Sequence, residues 1–236
     1  MRYLTFGGYM NKILLNELTP LLKDKVITSM DIFYGLKDHI IIEEYLEKEN
    51  IIHFDEPVEK LLFLIEGKAK VTMVHEDGKR SIIRFLNPME LIGELSLIEV
   101  DDQPKDIEAV TSCICLSMPL ELAKDVLLKD SKFLLRLSRY IGQKLLTGTW
   151  FQMKFQNYEL KNRLAAYMLM SQNNGIYNEK HIETAEFLGV SYRHLLYTFK
   201  LFLEEGVIEK TTKGFLLNLE ELEILSMDIL KDVKTT

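Results

Sequence analysis

The sequence has few cysteines and no long apolar run, and each shortage excludes a class of protein. Two cysteines among 236 residues are too few for a disulfide-stapled fold and fit a reducing compartment. No apolar run reaches the roughly 18 residues that a transmembrane helix needs. The first 22 residues are apolar but lack the basic start and small-residue cleavage site of a secretory signal. These features predict a cytoplasmic protein without a membrane partner.

Positive charge is also scarce. The 29 lysines and arginines are outnumbered by 36 acidic residues, which gives a formal net charge of −7. This balance counts against a non-specific polyanion binder, because such proteins are basic overall. It is compatible with a DNA-binding protein whose positive charge is confined to one element. The length predicts two domains, since one hydrophobic core rarely serves so long a chain.

The motifs of common enzyme classes are missing. A cupin-type enzyme on a β-barrel needs several histidines and a carboxylate that converge on a metal. The five histidines contain no His-x-His pair, and two of them, His181 and His194, lie in the helical half. The sequence also lacks a glycine-rich phosphate loop and a Gly-x-Ser-x-Gly elbow. We therefore predict no catalytic residue, no metal and no cofactor.

Short apolar runs separated by turns predict a β-barrel or jelly roll from about Ile40 to Met118. Asp77-Gly78 is typical of a tight hairpin turn, because glycine accepts a positive φ at no steric cost. The runs that we interpret as strands are Ile51–Phe54, Leu61–Ile65, Ala69–Val74, Ser81–Leu86 and Leu91–Leu95.

Helical periodicity begins after the predicted barrel, with a short segment over Leu120–Leu128 and a long one from Ser131 toward Lys154. Apolar residues recur at every fourth position of the long segment, at Phe133, Leu137, Ile141 and Leu145. This stripe indicates a dimerisation helix, and the alternative is a helix packed on its own barrel. Gly148 between Thr147 and Thr149 predicts a bend or hinge.

The segment from Lys180 to Ile208 has the pattern of a helix-turn-helix. The apolar spacing of Ile182, Ala185 and Leu188 predicts a first helix, which Gly189 ends in a left-handed conformation. Ser191 is a strong N-cap for a second helix over Tyr192–Glu204. We expect that helix to bury Leu195, Leu196, Phe199 and Leu203. Alternation over residues 207–217 predicts a hairpin, or wing.

The second helix carries the candidate DNA contacts. In a helix-turn-helix, residues near the N-terminus of the second helix meet base edges in the major groove. Arg193 is suited to a bidentate contact with guanine, and Ser191 to a phosphate. The lysines of the wing would be solvated charges on an isolated hairpin, but the position of this hairpin directly after a helix-turn-helix favours phosphate contacts. The predicted DNA-binding residues are Ser191, Tyr192, Arg193, His194, Tyr197, Lys200, Lys210 and Lys213.

The chain resembles the CRP/FNR family of bacterial transcription regulators. The resemblance rests on the motifs Phe63–Gly67, Asp77–Arg80, Ile92–Leu95 and Asn162–Ala165 and on the helix-turn-helix. Residues Gly189–Tyr197 look especially like the YeiL-like branch. The resemblance implies an α+β protein with a cyclic-nucleotide-binding-like β jelly roll over residues 1–130. A dimerisation helix over 131–157 and a winged helix-turn-helix over 158–236 would follow. Such a homodimer would bind a pseudo-palindromic operator and, as an activator, RNA polymerase.

The same resemblance implies where an effector would bind. The family's cyclic-AMP binders have Gly-Glu-Leu followed about ten residues later by an arginine that pairs with the cyclic phosphate. Here Gly93, Glu94 and Leu95 are intact, but the arginine position falls near Gln103–Lys105. Lys105 supplies a point charge without the bidentate fork of arginine. The candidate effector pocket therefore consists of Gly93, Glu94, Leu95 and Lys105, without the family's phosphate ligand.

Other interpretations stay open at this level. Oxygen-sensing relatives hold an iron–sulfur cluster on four thiolates, which Cys113 and Cys115 alone cannot supply. Redox sensing by this Cys-x-Cys pair is an alternative to two plain structural thiols. The barrel is either the sensor of an unidentified effector or a packed domain in a constitutive regulator. The helix-turn-helix is either a DNA-binding domain or a protein-interaction module that no longer binds DNA.

Overall fold

The computed structural model describes residues 2–5, 8–14, 17–76, 80–101, 105–227 and 229–230. The chain divides into two compact units, Met1–Leu137 and Ser138–Thr236. Among the helices of the described residues, none is both long and apolar enough to cross a membrane.

Among the described residues of the N-terminal unit, ten strands form two antiparallel sheets, which together make the predicted jelly roll. The strands are β1 (Arg2–Thr5), β2 (Gly8–Ile13), β3 (Ile41–Tyr45), β4 (Asn50–Ile52), β5 (Lys60–Glu66), β6 (Ala69–Val74), β7 (Arg80–Leu86), β8 (Leu91–Ile92), β9 (Lys105–Ala109) and β10 (Cys113–Pro119). One sheet has the order β1-β2-β3-β10-β5-β8 and the other the order β4-β9-β6-β7. The hairpin of β1 and β2 extends the first sheet beyond the β-region that the sequence predicted.

Most of the predicted strands are confirmed. Strand β6 has the predicted bounds, and it pairs with β7 from Ala69↔Leu86 to Val74↔Arg80. The predicted turn at Asp77-Gly78 lies outside the described residues. The run Leu91–Leu95 was wrongly predicted as one strand, because β8 ends at Ile92 and Gly93 then adopts a φ of +88°. A short helix, α2 (Glu94–Leu97), follows directly.

The interior of the jelly roll is formed by alternate residues of its strands. Cys113 and Cys115 are fully buried there, two positions apart on β10 and on the same face. The Cys113 thiol donates to the carbonyl oxygen of Lys68 at 3.2 Å. Burial raises the pKa of Cys113 to about 11 and the pKa of Cys115 well above its usual range. Both thiols are therefore core side chains in the protonated form.

Helices pack on the six-stranded sheet, and the last of them, α4, begins in the first unit and ends in the second. Phe33 packs against Phe63 of β5 and against Phe133, with ring centroids 5.7 and 6.4 Å apart. The helical elements are α1 (Pro20–Met30), a 3-10 helix over Asp31–His39, α3 (Leu120–Leu127) and α4 (Ser131–Asn157). Helix α4 continues through Gly148, so Thr147–Thr149 lie within one helix, and the bend or hinge expected there stays a prediction.

Helix α4 presents a different apolar stripe from the predicted one. Phe133 and Leu137 are buried, whereas Leu145 is 69 % exposed. Residues four positions apart are displaced by about 40° around a helix. After the three steps from Phe133 to Leu145 the displacement is about 120°, so Leu145 lies on a different face from Phe133. The exposed apolar residues follow mixed steps and are Leu134, Leu135, Leu145, Leu146, Trp150 and Met153.

The C-terminal unit contains the helices and the wing that the sequence predicted. Its elements are α5 (Leu160–Ser171), β11 (Ile176–Tyr177), α6 (His181–Leu188), α7 (Tyr192–Glu204), β12 (Ile208–Thr211), β13 (Gly214–Leu217) and α8 (Leu219–Leu225). Strand β11 joins the wing hairpin, and the resulting sheet has the order β11-β13-β12.

Two polar residues of α5 bind the ends of neighbouring helices. Asn162 donates from Nδ2 to the carbonyl oxygen of Leu225 in α8 at 2.8 Å. Arg163 donates from its guanidinium to the carbonyl oxygen of Leu188, the last residue of α6, at 2.7 Å. The guanidinium also lies over the ring of Phe155, 5.7 Å from its centroid. Because the final carbonyls of a helix lack partners within the helix, the Arg163 contact fixes the end of α6.

The buried thiols lead to a test of the redox alternative. At about pH 8 a thiol with a pKa near 11 is ionised in roughly one molecule per thousand. We expect no reaction of Cys113 or Cys115 with Ellman's reagent in the native protein, and two reactive thiols per chain after unfolding in guanidinium. Rapid native reaction, or an intrachain disulfide detected by mass spectrometry, would revive the redox-sensing hypothesis.

The Arg163 contact predicts a stability effect. Replacing Arg163 by Leu removes a charged donor and should lower the free energy of unfolding by about 1.5–3 kcal/mol in urea denaturation. Arg163→Lys should restore part of the loss, since lysine keeps the charge but not the fork. Lys161→Leu, at an exposed position of the same helix, is the control and should change stability by no more than about 0.5 kcal/mol. Equal losses in Arg163→Leu and the control would exclude the anchoring role.

Candidate DNA-binding surface and effector site

The turn between α6 and α7 has the predicted construction. Gly189 adopts the left-handed conformation with a φ of 64°. The Val190 amide donates to the carbonyl oxygen of Ala185 at 3.0 Å and so closes the end of α6. Ser191 then caps α7, because its hydroxyl accepts from the His194 amide at 3.2 Å. The three-residue turn and the cap are therefore confirmed.

The buried face of α7 differs from the predicted one. Leu195 and Phe199 are buried as expected, but Leu196 and Leu203 are 39 % and 40 % exposed. Their places in the core are taken by Thr198 and Phe202, because positions 195, 198, 199 and 202 form one continuous helical stripe. In α6, the helix predicted from the spacing of Ile182, Ala185 and Leu188, the last two side chains are buried and Ile182 is 64 % exposed.

The outer face of α7 carries the residues that the sequence nominated for DNA contact. Tyr197 is 61 % exposed, and Tyr192, Arg193, His194 and Lys200 are exposed with it. Leu196 lies between these polar residues, and the sequence analysis missed it as a surface residue. Helical angles measured from Leu195 and Phe199 could have revealed it, because Leu196 is about 60° or more from both. An apolar side chain at this place suits contact with a thymine methyl group.

The wing is packed against α7 through aromatic rings. Phe199 of α7 lies 5.4 Å from Phe215 of β13 and 5.7 Å from Tyr177 of β11, measured between ring centroids. His181 stacks on Phe199 at 4.3 Å, and burial lowers its pKa. The contacts give the wing a fixed position relative to the second helix of the helix-turn-helix.

Exposed lysines surround this face. Lys210 and Lys213 of the wing are exposed, and the Lys213 amide donates to the Thr211 hydroxyl at 3.2 Å in the turn. Lys200 forms an exposed ion pair with Glu204 at 3.5 Å. An exposed i,i+4 pair contributes only about 0.3–0.5 kcal/mol, so Lys200 can exchange this carboxylate for another anion.

The candidate effector residues lie where β8 leads into α2. Gly93 is required at its position, because a Cβ atom there would lie 2.8 Å from the carbonyl oxygen of Lys60 and the φ is positive. Glu94 is buried at the start of α2, and Leu95 is half-buried.

Lys105 is connected to the same segment through a carboxylate. Its ammonium lies 2.6 Å from both side-chain oxygens of Asp101, and the Ser96 hydroxyl donates to one of these oxygens at 3.2 Å. Asp101 therefore links α2, which carries Ser96, with the first residue of β9. No pattern in the sequence indicated Asp101 as the partner of Lys105.

A second polar group lies inside the jelly roll. Glu43 is fully buried and accepts from Lys60 at 3.0 Å and from the Tyr45 hydroxyl at 2.5 Å. Burial, followed by the charge of Glu43, raises the pKa of Tyr45. Within the residues that the structure describes, no three His, Cys, Asp or Glu side chains are grouped as a metal site would require.

Comparison with known proteins relates both halves of the chain to regulators. The model of the cyclic nucleotide-binding domain matches residues 42–130. Regulatory protein YeiL of Escherichia coli O157:H7 is 34 % identical over 186 residues, which are 78 % of this chain and 85 % of YeiL. The cAMP-activated global transcriptional regulator CRP of Salmonella typhimurium is 29 % identical over 108 residues, 45 % of this chain and 51 % of CRP.

Solved structures share the fold. A CRP-family transcriptional regulator from Thermus thermophilus superposes with a TM-score of 0.60 at 22 % identity, over 78 % of this chain and 95 % of its own. The c-di-GMP-responsive global regulator CLP of Xanthomonas campestris gives a TM-score of 0.59 at 16 % identity, over 81 % and 98 %. The jelly roll, the helix-turn-helix and these similarities together identify the chain as a transcriptional regulator that belongs to the CRP/FNR family.

Proposed function

We propose that this regulator binds a two-fold symmetric DNA operator as a homodimer, with one α7 helix in the major groove of each half-site. The observation that carries the proposal is the outer face of α7, where Arg193, Tyr197 and Lys200 are exposed together beside a capped helix N-terminus. The alternative, a protein-interaction module with the same fold, uses the same face for a protein partner.

The side chains of α7 are suited to two kinds of DNA contact. Arg193 can donate two parallel hydrogen bonds to O6 and N7 of guanine. Tyr192, Tyr197 and Leu196 offer apolar surface to thymine methyl groups. Ser191 can still donate its hydroxyl proton to a phosphate, because its cap uses the oxygen only as an acceptor. We therefore assign specificity to the face around Arg193 and positioning to Ser191 and Lys200.

The lysines of the wing and the negative net charge of the chain are compatible with DNA contact through a small basic surface. Lys210 and Lys213 project from the hairpin that follows α7, where they would reach the phosphates beside the groove. The chain as a whole is acidic, with a net charge of −7, which disfavours binding to arbitrary DNA. Specific base contacts must then supply more of the affinity than in a basic protein.

The proposed dimer forms along the exposed stripe of α4. Leu135, Leu146 and Met153 lie within about 20° of one another around the helix axis, and all three side chains are more than half exposed. Gly142 lies on the same side, and a Cβ there would have no neighbour within 4 Å. Pairing of two such helices would bury these side chains and relate the two α7 helices by a two-fold axis.

The remaining assignments follow from the family. RNA polymerase is the proposed protein partner if the regulator is an activator, and the cytoplasm is the proposed compartment. The chain is proposed to carry no enzymatic activity, since its named relatives are regulators.

The decisive experiment is a selection of binding sites from random duplex DNA with the purified full-length protein. We expect enrichment of a two-fold symmetric motif with half-sites about one helical turn apart. Binding should weaken steeply with salt, because cations on the protein release counterions from the phosphates. Leu146→Glu should lower both dimerisation in sedimentation and operator affinity, whereas Leu219→Glu on α8 should affect neither. A folded dimer that enriches no motif would favour the interaction module.

Arg193 is expected to determine specificity. Arg193→Ala should cost roughly 1–3 kcal/mol per half-site on the selected operator and relax the preference at one base pair. Lys213→Ala should weaken binding to all sequences about equally and reduce the salt dependence by about one phosphate per half-site. Fluorescence anisotropy on the operator and on single-base variants separates the two patterns. A uniform loss in Arg193→Ala would make Arg193 a phosphate contact instead.

A further inference from the structure

Three polar clusters of the jelly roll share one property: each cation faces a carboxylate of the same unit. Lys60 binds Glu43. Arg84 of β7 hydrogen-bonds Glu90. Lys105 binds Asp101. In the first and third clusters a hydroxyl also donates to the carboxylate, from Tyr45 to Glu43 and from Ser96 to Asp101. The third cluster differs from the first because Asp101 lies in the segment between α2 and β9, whereas Glu43 lies within strand β3.

The Lys105 cluster has the composition of an oxyanion site. An ammonium and a hydroxyl donor from two different elements, β9 and α2, converge on one pair of oxygens. The pair is largely shielded from solvent, with the side chains of Lys105 and Asp101 18 % and 9 % exposed. Shielding strengthens the attraction over that of a surface pair. The arrangement would hold the oxygens of a phosphate or a carboxylate equally well.

The backbone places Asp101 in this position. The Val100 amide donates to the carbonyl oxygen of Leu95 at 3.0 Å, and Glu99 takes a positive φ of 59°. The chain therefore folds back directly after α2 and delivers Asp101 to Ser96 five residues before it. Lys105 lies on the same face of β9 as Ile107 and Ala109, which belong to the core cluster.

We propose that Asp101 is a tethered anion that fills the oxyanion site of Ser96 and Lys105, so that this regulator binds its operator without an anionic effector. The proposal rests on the proposed function and deepens it, because it selects the constitutive regulator over the sensor of an anion. A group tethered by so few residues acts at an effective concentration in the millimolar range or above. A free anion must exceed that concentration to displace it.

Removal of the carboxylate should open the site. We expect inorganic phosphate to leave the wild-type protein unchanged in isothermal titration calorimetry up to millimolar concentrations. Asp101→Ala should bind phosphate at least tenfold more tightly than the wild type, and Asp101→Ala with Lys105→Ala should lose the gain. Cyclic AMP, tested in the same way, distinguishes a nucleotide phosphate from a free one.

Asp125→Ala is the matched control. Asp125 forms an i,i+4 pair with Lys129, as Asp101 does with Lys105, but both side chains are 78 % exposed. The control variant carries the same charge change and should gain no phosphate affinity. If Asp101→Ala does not fold, Asp101→Asn preserves the shape without the charge, and its melting temperature should rise with phosphate while that of the wild type does not.

The titrations use protein without DNA, so their outcome is independent of the proposed operator binding. Millimolar or tighter phosphate or cyclic-AMP binding by the wild type would overturn the proposal. The absence of any gain in both Asp101 variants would overturn it as well. If the variants gain phosphate affinity while the selection finds no operator, the tethered anion stands and the DNA-binding function fails.

Discussion

The candidate DNA-binding surface depends on one local constraint, the three-residue turn from Gly189 to Ser191. Gly189 takes a left-handed conformation where α6 ends, and Ser191 caps α7 by accepting from the His194 amide, one of the amides at the helix start without a partner in the helix. The turn fixes the angle between α6 and α7. The Arg163 guanidinium anchors the start of the turn by donating to the carbonyl oxygen of Leu188, the last residue of α6. Every exposed side chain of α7 takes its direction from this arrangement.

The two halves of the chain use the same cationic residue types in opposite ways. In the jelly roll, Lys60 and Lys105 are partly shielded and bind carboxylates of their own unit. In the winged helix-turn-helix, Arg193, Lys210 and Lys213 are exposed. Burial decides the difference, because a shielded charge needs a partner, whereas an exposed one is hydrated and available to an external anion. Positive charge is thus available for DNA on a chain that is acidic overall.

Local signals made several elements predictable. A glycine followed two residues later by serine, between two helical stretches, predicted the turn and the cap. Short apolar runs with bounding turns predicted β5, β6 and β7 to within one residue at each end. The family could also be identified from the sequence, since its glycine motifs are short and contiguous. Glycine is needed in them where the backbone takes a positive φ. Nothing in the pattern indicated α2, because the helix has only four residues, Glu94–Leu97, too few to show a helical repeat of apolar positions.

The sequence by itself determined strands β5, β6 and β7, the turn at Gly189 and the set of polar side chains near the start of α7, because each depends on neighbours within a few residues. Only the tertiary structure decided which apolar residues are buried. Leu196 and Leu203 are as apolar as Leu195, yet only the stripe of Leu195 and Phe199 faces the core. The same holds for α4, and for Lys105, whose partner Asp101 is chosen by the way the chain folds back after α2. The sequence states which residues of a helix are apolar, but the elements packed against the helix determine which of them are buried.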